Sequence, residues 1–301
     1  MQARNVHFLS RLLLVGVCLS AAGSALAGPP LLWSVTGKGG ATSYLFGTIH
    51  VPDESLQRLD ARVASALDGC QVFVSEVPLD LNAQMSMAMR TMLSGGKSLS
   101  DVLPDGLYRQ VSELFQSKGI PAMVVDRLKV WAVAVQLVLV DHLLEMASKP
   151  PLDQMLYKKA QAAGKRLDAL EKIAEQVDIF DSLKTAEQVQ LLRSALEYYR
   201  KKKKQGKDPV AELVAVYRSG DAAAIRRKVM EEYDQSDPLE KRLLDKIFFE
   251  RNRRLAERIA ERLRQHGDQV WFFAVGAGHL PGKDGIVERL RRSGFTVTRV
   301  K

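Results

Sequence analysis

Apolar positions change their spacing several times along the chain, and each change predicts a different element. Short apolar runs at 31–35 and 42–46, joined by the glycine-rich turn 37–40, predict a β-hairpin. Apolar residues three or four positions apart over 56–67 predict a helix. The nearly continuous apolar run at 71–77 predicts a short strand that is buried on both faces, as strands of α/β sheets are.

A long helical region is predicted next, from 79 to about 164. Within it, residues 128–146 are apolar almost all round, which is typical of a buried core helix and also of a membrane span. Polar side chains interrupt or flank this stretch, namely Lys129, Gln136, Asp141 and His142. They favour the core helix.

The remainder of the chain continues the alternation of strands and helices. Strands are predicted at 166–170, 269–275 and 296–300, with helices over 172–266 and 285–292. Strands that are separated by helices usually run parallel, with right-handed crossovers. The pattern therefore predicts an α/β fold with one mixed, mostly parallel central sheet, an N-terminal hairpin and large helical insertions at about 79–165 and 172–266.

Composition supports a folded protein with a sizeable core. The chain has 301 residues, of which 46% are apolar and 26% charged, which excludes a disordered tail and a multi-span membrane protein. Lys and Arg number 44 against 35 acidic residues, a formal charge of +9. No aromatic–basic motif typical of nucleic-acid binding accompanies this charge, so we expect attraction to anionic envelope components and no nucleic-acid partner.

The first 27 residues have the organisation of a secretory signal peptide. A basic start with Arg4 and Arg11 precedes a mostly apolar run at 12–22, and Ala25 and Ala27 form an A-x-A cleavage pattern. We expect residues 1–27 to be removed and residues 28–301 to form an exported, periplasmic or extracytoplasmic α/β domain. Cys70 would then be the sole cysteine, and we expect it to be buried rather than nucleophilic.

One local pattern occurs twice, an apolar strand followed by G-x-x-H. It ends at His50 in YLFGTIH and at His279 in FFAVGAGH. Carboxylates follow two other strands, Glu76 after VFVS and Glu171 after LDAL. If these four strands are parallel, their carboxyl ends share the sheet edge where open α/β sheets bind ligands.

Two histidines and two glutamates at one edge suit a divalent metal ion such as Zn²⁺, Mn²⁺ or Fe²⁺. Spacing alone leaves open the alternative that each G-x-x-H is an ordinary turn with a surface histidine. On the helix predicted over 247–263, Asn252 lies on the apolar stripe and Arg251 at its margin. Polar residues on a buried face need partners, either ordinary capping groups or the carboxylates and a substrate carbonyl at the site.

These motifs resemble the TraB/GumN (TraB/PrgY/GumN) family. The resemblance covers nearly all of 28–301. It includes SYLFGTIHV, the strand ending at Glu76, PPLDQML with Asp153, Leu170-Glu171 before a helix with Gln176, Glu250-Arg251-Asn252, and FFAVGAGHL. It implies a superfamily that includes Tiki metalloproteases, erythromycin-esterase-like proteins and ChaN-like haem-binding proteins.

Together with the predicted signal peptide, the resemblance implies an exported metal-dependent hydrolase, with a peptide or protein as substrate. His50, Glu76 and His279 would hold a divalent ion such as Mn, Zn, Co or Fe. Glu171 would be the general base or a fourth ligand, and Arg251 or Asn252 would stabilise an oxyanion or orient a carboxylate. The alternative is a non-catalytic protein that binds a peptide or a haem-like ligand on the same fold.

Overall fold

The computed structural model describes residues 28–51, 53–231 and 233–301, so the predicted signal peptide lies outside the described residues. At its centre is a six-stranded sheet with the order β4-β3-β5-β2-β1-β6. The strands are β1 (Leu32–Thr36), β2 (Thr42–Thr48), β3 (Val72–Ser75), β4 (Arg166–Ala169), β5 (Trp271–Gly276) and β6 (Thr296–Arg299).

Four of these strands run in the same direction. β5 pairs in parallel with both β2 and β3, and β3 pairs in parallel with β4. β1 is antiparallel to both β2 and β6. The mixed, mostly parallel sheet with its N-terminal hairpin is therefore confirmed, and the carboxyl ends of β2, β3, β4 and β5 share one edge.

Helices connect and cover the strands. They are α1 (Ala61–Gly69), α2 (Leu81–Thr91), α3 (Asp105–Ser117), α4 (Ala122–Val125), α5 (Val130–Val138), α6 (Leu143–Ser148), α7 (Leu152–Ala162), α8 (Ile173–Asp181), α9 (Thr185–Lys204), α10 (Pro209–Arg218), α11 (Ala222–Glu231), α12 (Pro238–Leu244), α13 (Arg251–Gln265) and α14 (Ile286–Arg292). Short 3₁₀ turns occur at Glu54–Leu56, Leu99–Asp101 and Ala277–His279, and a π-helical turn at Asp245–Glu250.

Two predicted helices have different bounds in the structure. The helix predicted over 56–67 begins only at Ala61, because the Asp60 carboxylate accepts a hydrogen bond from the Arg62 N–H and caps α1 there. The stretch 128–146 divides into α5, which is mostly buried, and α6, which is not. Across the described part of the chain, no helix combines the length and apolar character needed to cross a membrane.

Each face of the sheet packs against helices. On one face, Phe273 of β5 belongs to a core with Leu255 and Ile259 of α13. On the other, Phe272 packs in a core with Leu156 of α7 and Val63 of α1. Alternate residues of β5 thus point to opposite cores, which is why its sequence is apolar without interruption.

Arginines of α13 form hydrogen bonds with the end of the edge strand β4. Arg258 Nη1 donates to the carbonyl oxygen of Leu170 at 2.8 Å, and Arg262 Nη2 donates to that of Ala169 at 2.9 Å. Arg262 Nε also binds the Asp168 carboxylate at 2.7 Å. These arginines are four positions apart and so lie on one face of α13. They fix the end of β4, from which Glu171 follows.

Cys70 is buried, as expected. Its thiol donates to the carbonyl oxygen of Leu67 at 3.1 Å, and burial raises its pKa to about 11. A thiol with so high a pKa is a poor nucleophile near neutral pH.

Candidate functional site

The two predicted histidines and Glu76 meet around Gly276, the last residue of β5. A Cβ atom at Gly276 would lie 3.1 Å from Glu76 Oε1, 3.4 Å from His279 Cδ2 and 3.7 Å from His50 Nε2. The Gly276 N–H also donates to Glu76 Oε1 at 2.6 Å. A side chain at this position would crowd the Glu76 carboxylate, whereas the two histidines lie at ordinary contact distance from it.

The strand ends also place the two glutamates side by side. The parallel pairing of β3 with β4 continues past the strands, and the Glu171 N–H donates to the Glu76 carbonyl oxygen at 2.7 Å. Both residues are buried, at 9% exposure for Glu76 and 3% for Glu171. The predicted convergence of both carboxylates on this edge is therefore present in the backbone itself.

His279 is buried, and its two ring nitrogens have different partners. Nδ1 lies 2.7 Å from Asn252 Oδ1, while Asn252 Nδ2 donates to the carbonyl oxygen of Asp284 at 3.0 Å. This leaves Oδ1 as the acceptor and puts the proton on Nδ1. Burial, together with the nearby Arg251, lowers the pKa of His279 to about 4, so the ring is neutral at pH 7 and Nε2 carries a lone pair.

His50 is in a more open position, with its side chain 54% exposed. Its Nδ1 lies 3.0 Å from Oδ1 of Asp153, which is in the first turn of α7. The Asp153 carboxylate raises the pKa of His50 to about 9. The other ring nitrogen, Nε2, is the one close to Gly276.

The guanidinium of Arg251 lies between the two carboxylates. Its Nη2 is 2.5 Å from Glu76 Oε2 and 2.8 Å from Glu171 Oε2, and its Nε is 3.0 Å from the latter. Its Nη1 is 3.3 Å from His279 Nε2. Burial alone would raise the pKa of Glu76, but Arg251 and the histidines hold it well below its ordinary value.

Glu171 has partners on both of its oxygens. Arg254 Nη2 donates to Oε1 at 2.9 Å, and Gln176 Nε2 donates to Oε2 at 3.1 Å, in addition to the Arg251 contacts. Gln176 also reaches Glu76 Oε2 at 3.3 Å. Glu171 is thus held by two arginines and an amide, with its side chain fully buried.

A π-helical turn precedes the residues that α13 contributes. The predicted helix over 247–263 is interrupted, because Asp245–Glu250 forms a π turn and the α-helix resumes at Arg251. Phe248 of that turn packs on His279, with ring centroids 5.0 Å apart. Single π turns often occur at functional sites, where the extra residue rotates the following side chains. Here the next two, Arg251 and Asn252, are both buried.

His50, Glu76 and His279 have the chemistry of a divalent-metal site. Nδ1 of each imidazole faces a side-chain oxygen. This arrangement leaves Nε2 as the atom that can bind a metal. Two imidazoles and one carboxylate fit such an ion in donor type. Within the described ranges, no group of three or more His, Cys, Asp or Glu side chains is arranged so that it could hold a metal ion. Instead, the Arg251 guanidinium supplies the positive charge beside Glu76 and Glu171.

Sequence reasoning assigned no role to several groups that complete the site, namely Asp153, Gln176, Arg254 and the Gly276 N–H. Asp153 and Gln176 belong to the motifs on which the family resemblance depends, and that was the signal for them. Arg254 follows Arg251 by three positions and so lies on the same helix face.

Comparisons with known proteins identify a family and several relatives. The sequence model of the TraB/PrgY/gumN family matches residues 31–299. The chain is 25% identical to a Metalloprotease TIKI homolog of Amphimedon queenslandica, over 85% of this chain and 59% of that protein. It is 26% identical to Metalloprotease TIKI2 of Danio rerio (85% and 58%) and 25% identical to human Metalloprotease TIKI1 (88% and 61%). The chain thus spans about three fifths of the length of these relatives. No solved structure matches significantly.

Proposed function

The chain belongs to the TraB/PrgY/gumN family, and from this premise we propose that it is an exported, metal-dependent peptidase. The observation that carries the proposal is the convergence of His50, Glu76 and His279 on Gly276 at the carboxyl edge of the parallel strands. The relatives are named metalloproteases, which supports a peptide or protein substrate.

Three atoms would hold the ion, namely Nε2 of His50, Nε2 of His279 and Oε1 of Glu76. Because the pKa of His50 is about 9, ion binding would release a proton from that ring. The ion, which we expect to be Mn, Zn, Co or Fe, would polarise a peptide carbonyl and activate water at neutral pH. Asp153 and Asn252 would fix the orientation of the two imidazoles, since each contacts an Nδ1 atom.

Arg251 would act on the substrate's developing charge. Its Nη1 faces His279 Nε2, and a guanidinium there can donate to the oxygen of a carbonyl under attack. Glu171 holds this guanidinium through two hydrogen bonds, so we assign it to positioning Arg251. As a general base, Glu171 would need to release an arginine from one of its oxygens. That role stays a prediction. Glu171→Gln tests it, because loss of a general base should lower the rate of hydrolysis and leave the metal content unchanged.

The first test uses the wild-type protein. Purified without chelator, it should contain a divalent metal, detected by inductively coupled plasma mass spectrometry. It should also cleave members of a broad peptide library, and EDTA should abolish cleavage until Mn²⁺, Zn²⁺, Co²⁺ or Fe²⁺ is restored. Cleavage that persists in EDTA would contradict metal dependence. Metal binding with no cleavage of any peptide would favour the non-catalytic ligand-binding alternative.

Export is a separate prediction with its own measurement. Signal-peptide cleavage after Ala27 should leave Gly28 as the first residue of the protein recovered from the cell envelope, as read by mass spectrometry of the intact chain. A cytoplasmic protein that retains Met1 would refute export and leave the peptidase proposal standing.

A further inference from the structure

Helix α2 carries an unusual amount of exposed apolar surface. Leu81, Met85 and Met89 are 70%, 56% and 72% exposed, respectively. Beside this helix runs a groove of about 690 Å³, whose apolar wall includes Val77, Leu79, Met87, Met92, Leu128 and Ile173. These three side chains lie outside the groove, but two other exposed apolar side chains line it, Met92 at 43% and Val124 at 52%. Exposed apolar surface within a groove commonly marks a binding site, and this groove is within the usual size range of ligand sites.

The groove is lined by segments of the chain that also carry candidate site residues. Three separate segments of the chain contribute a residue to the candidate site and a nearby residue to the groove. Val77 directly follows Glu76, Gln154 directly follows Asp153, and Ile173 is two residues after Glu171. The groove is also contiguous with the cavity that Glu171 lines, because Pro78 and Leu79 line both.

Amide side chains line this largely apolar groove, together with Thr91 and Arg127. Gln136 and Gln154 are half-buried, and neither side chain has a hydrogen-bond partner among the described residues. A primary amide offers both a donor and an acceptor, which complement the N–H and C=O groups of a peptide main chain. A lipid chain would leave these amides unpaired, so the lining favours a polypeptide.

We propose that this groove binds an extended, apolar segment of a polypeptide substrate next to the active site. The substrate's main chain would pair with Gln136 and Gln154, and its apolar side chains would pack against Met87, Met92 and Leu128. Methionine side chains adapt to different apolar shapes, so the groove would select for hydrophobicity rather than for one residue. The inference names the substrate class of the proposed peptidase and so rests on that proposal, but its test needs no turnover.

The test compares two fluorescein-labelled decapeptides of equal net charge by fluorescence anisotropy, with the full exported chain in EDTA. One carries Leu and Val at every second position, and the other carries Ser and Thr there. The apolar peptide should bind at least about tenfold more tightly, because one well-buried apolar side chain accounts for that difference. This comparison uses only the wild-type protein and so does not depend on how any variant folds.

Two neighbouring positions on α2 supply a matched pair of variants. Ala88 lines the groove and is exposed, whereas Met89 is exposed outside it. Ala88→Glu should weaken binding of the apolar peptide by at least about tenfold, since it places a charge in the apolar groove. Met89→Glu should change it by less than about twofold, as a surface substitution.

Several results would overturn the inference. Equal binding of the two peptides, or equal effects of the two variants, would remove the groove as a substrate site. So would a wild-type dimer that Ala88→Glu dissociates in sedimentation experiments, because a second copy would then cover the groove. Binding to phosphatidylcholine vesicles in place of the peptide would assign the surface to lipid. A failure of peptide hydrolysis with metal restored would instead count against the peptidase proposal and leave the binding result intact.

Discussion

Replacing either His50 or His279 with alanine is expected to remove the bound metal and to lower kcat/KM for peptide hydrolysis by on the order of 10³-fold, since Lewis-acid stabilisation of a transition state is worth several kcal/mol. Each substitution deletes one of the three donor atoms near Gly276. The two measurements are metal content per chain and initial rates on a cleaved library peptide.

A third histidine supplies the control for these variants. His266 follows α13 and contacts Trp271 rather than the candidate site, with ring centroids 6.1 Å apart. His266→Ala should keep both metal and activity. Asn252→Ala should have an effect between that of the ligand variants and that of His266→Ala. Metal affinity should fall by about 10–100-fold, because the loss of an orienting partner weakens a ligand without removing it. Metal retained at wild-type level in both His50→Ala and His279→Ala would exclude this site.

Much of the sheet could be predicted because its determinants are local. Apolar runs bounded by glycines marked β2 and β5, and the helices between strands implied parallel order. Parallel order in turn placed the ends of four strands on one edge, which brought His50, Glu76, Glu171 and His279 together without any knowledge of side-chain contacts. The helix bounds were less accurate, since a cap at Asp60 and a π turn before Arg251 leave the apolar spacing almost unchanged.

The partners within the site could not be predicted in the same way. Whether Glu171 faces a metal, a substrate or an arginine depends on how α13 is rotated about its axis, and the sequence pattern does not predict the π turn that directly precedes this helix. The pairing of Asp153 with His50 likewise depends on the packing of α7 against the sheet. The groove beside α2 could not be predicted from the sequence either, because methionines two positions apart give neither a clear helical stripe nor a charge signal.

The largest expected effect on stability comes from Arg251. Arg251→Met should lower the free energy of unfolding by about 3–5 kcal/mol, the usual loss when one partner of a buried ion pair is removed. The variant leaves the buried carboxylates of Glu76 and Glu171 without the guanidinium between them. Urea denaturation at pH 7 in the presence of EDTA measures the change free of any metal contribution.

Arg254 gives the matched control, because it binds the same glutamate from a more exposed position. Its side chain is 28% exposed, and Glu171 keeps Arg251 when Arg254 is replaced. Arg254→Met should therefore cost no more than about 1 kcal/mol. The double variant Arg251→Met with Glu171→Gln should recover part of the loss, since it removes a buried negative charge together with the positive one.

The same ion pair gives stability a definite dependence on pH. Arg251 keeps the pKa of Glu76 below its ordinary value in the folded protein. This interaction therefore contributes stability that is fully present above the unfolded pKa of about 4.3, and it is lost as the pH falls from there through the folded pKa. In Arg251→Met, Glu76 no longer has the guanidinium charge beside it. Its carboxylate therefore takes up a proton at a higher pH than in the wild-type protein. The stability difference from wild type should therefore shrink between pH 7 and pH 4. A difference that is constant over this range, or no larger than that of Arg254→Met, would show that the guanidinium does not balance these carboxylates.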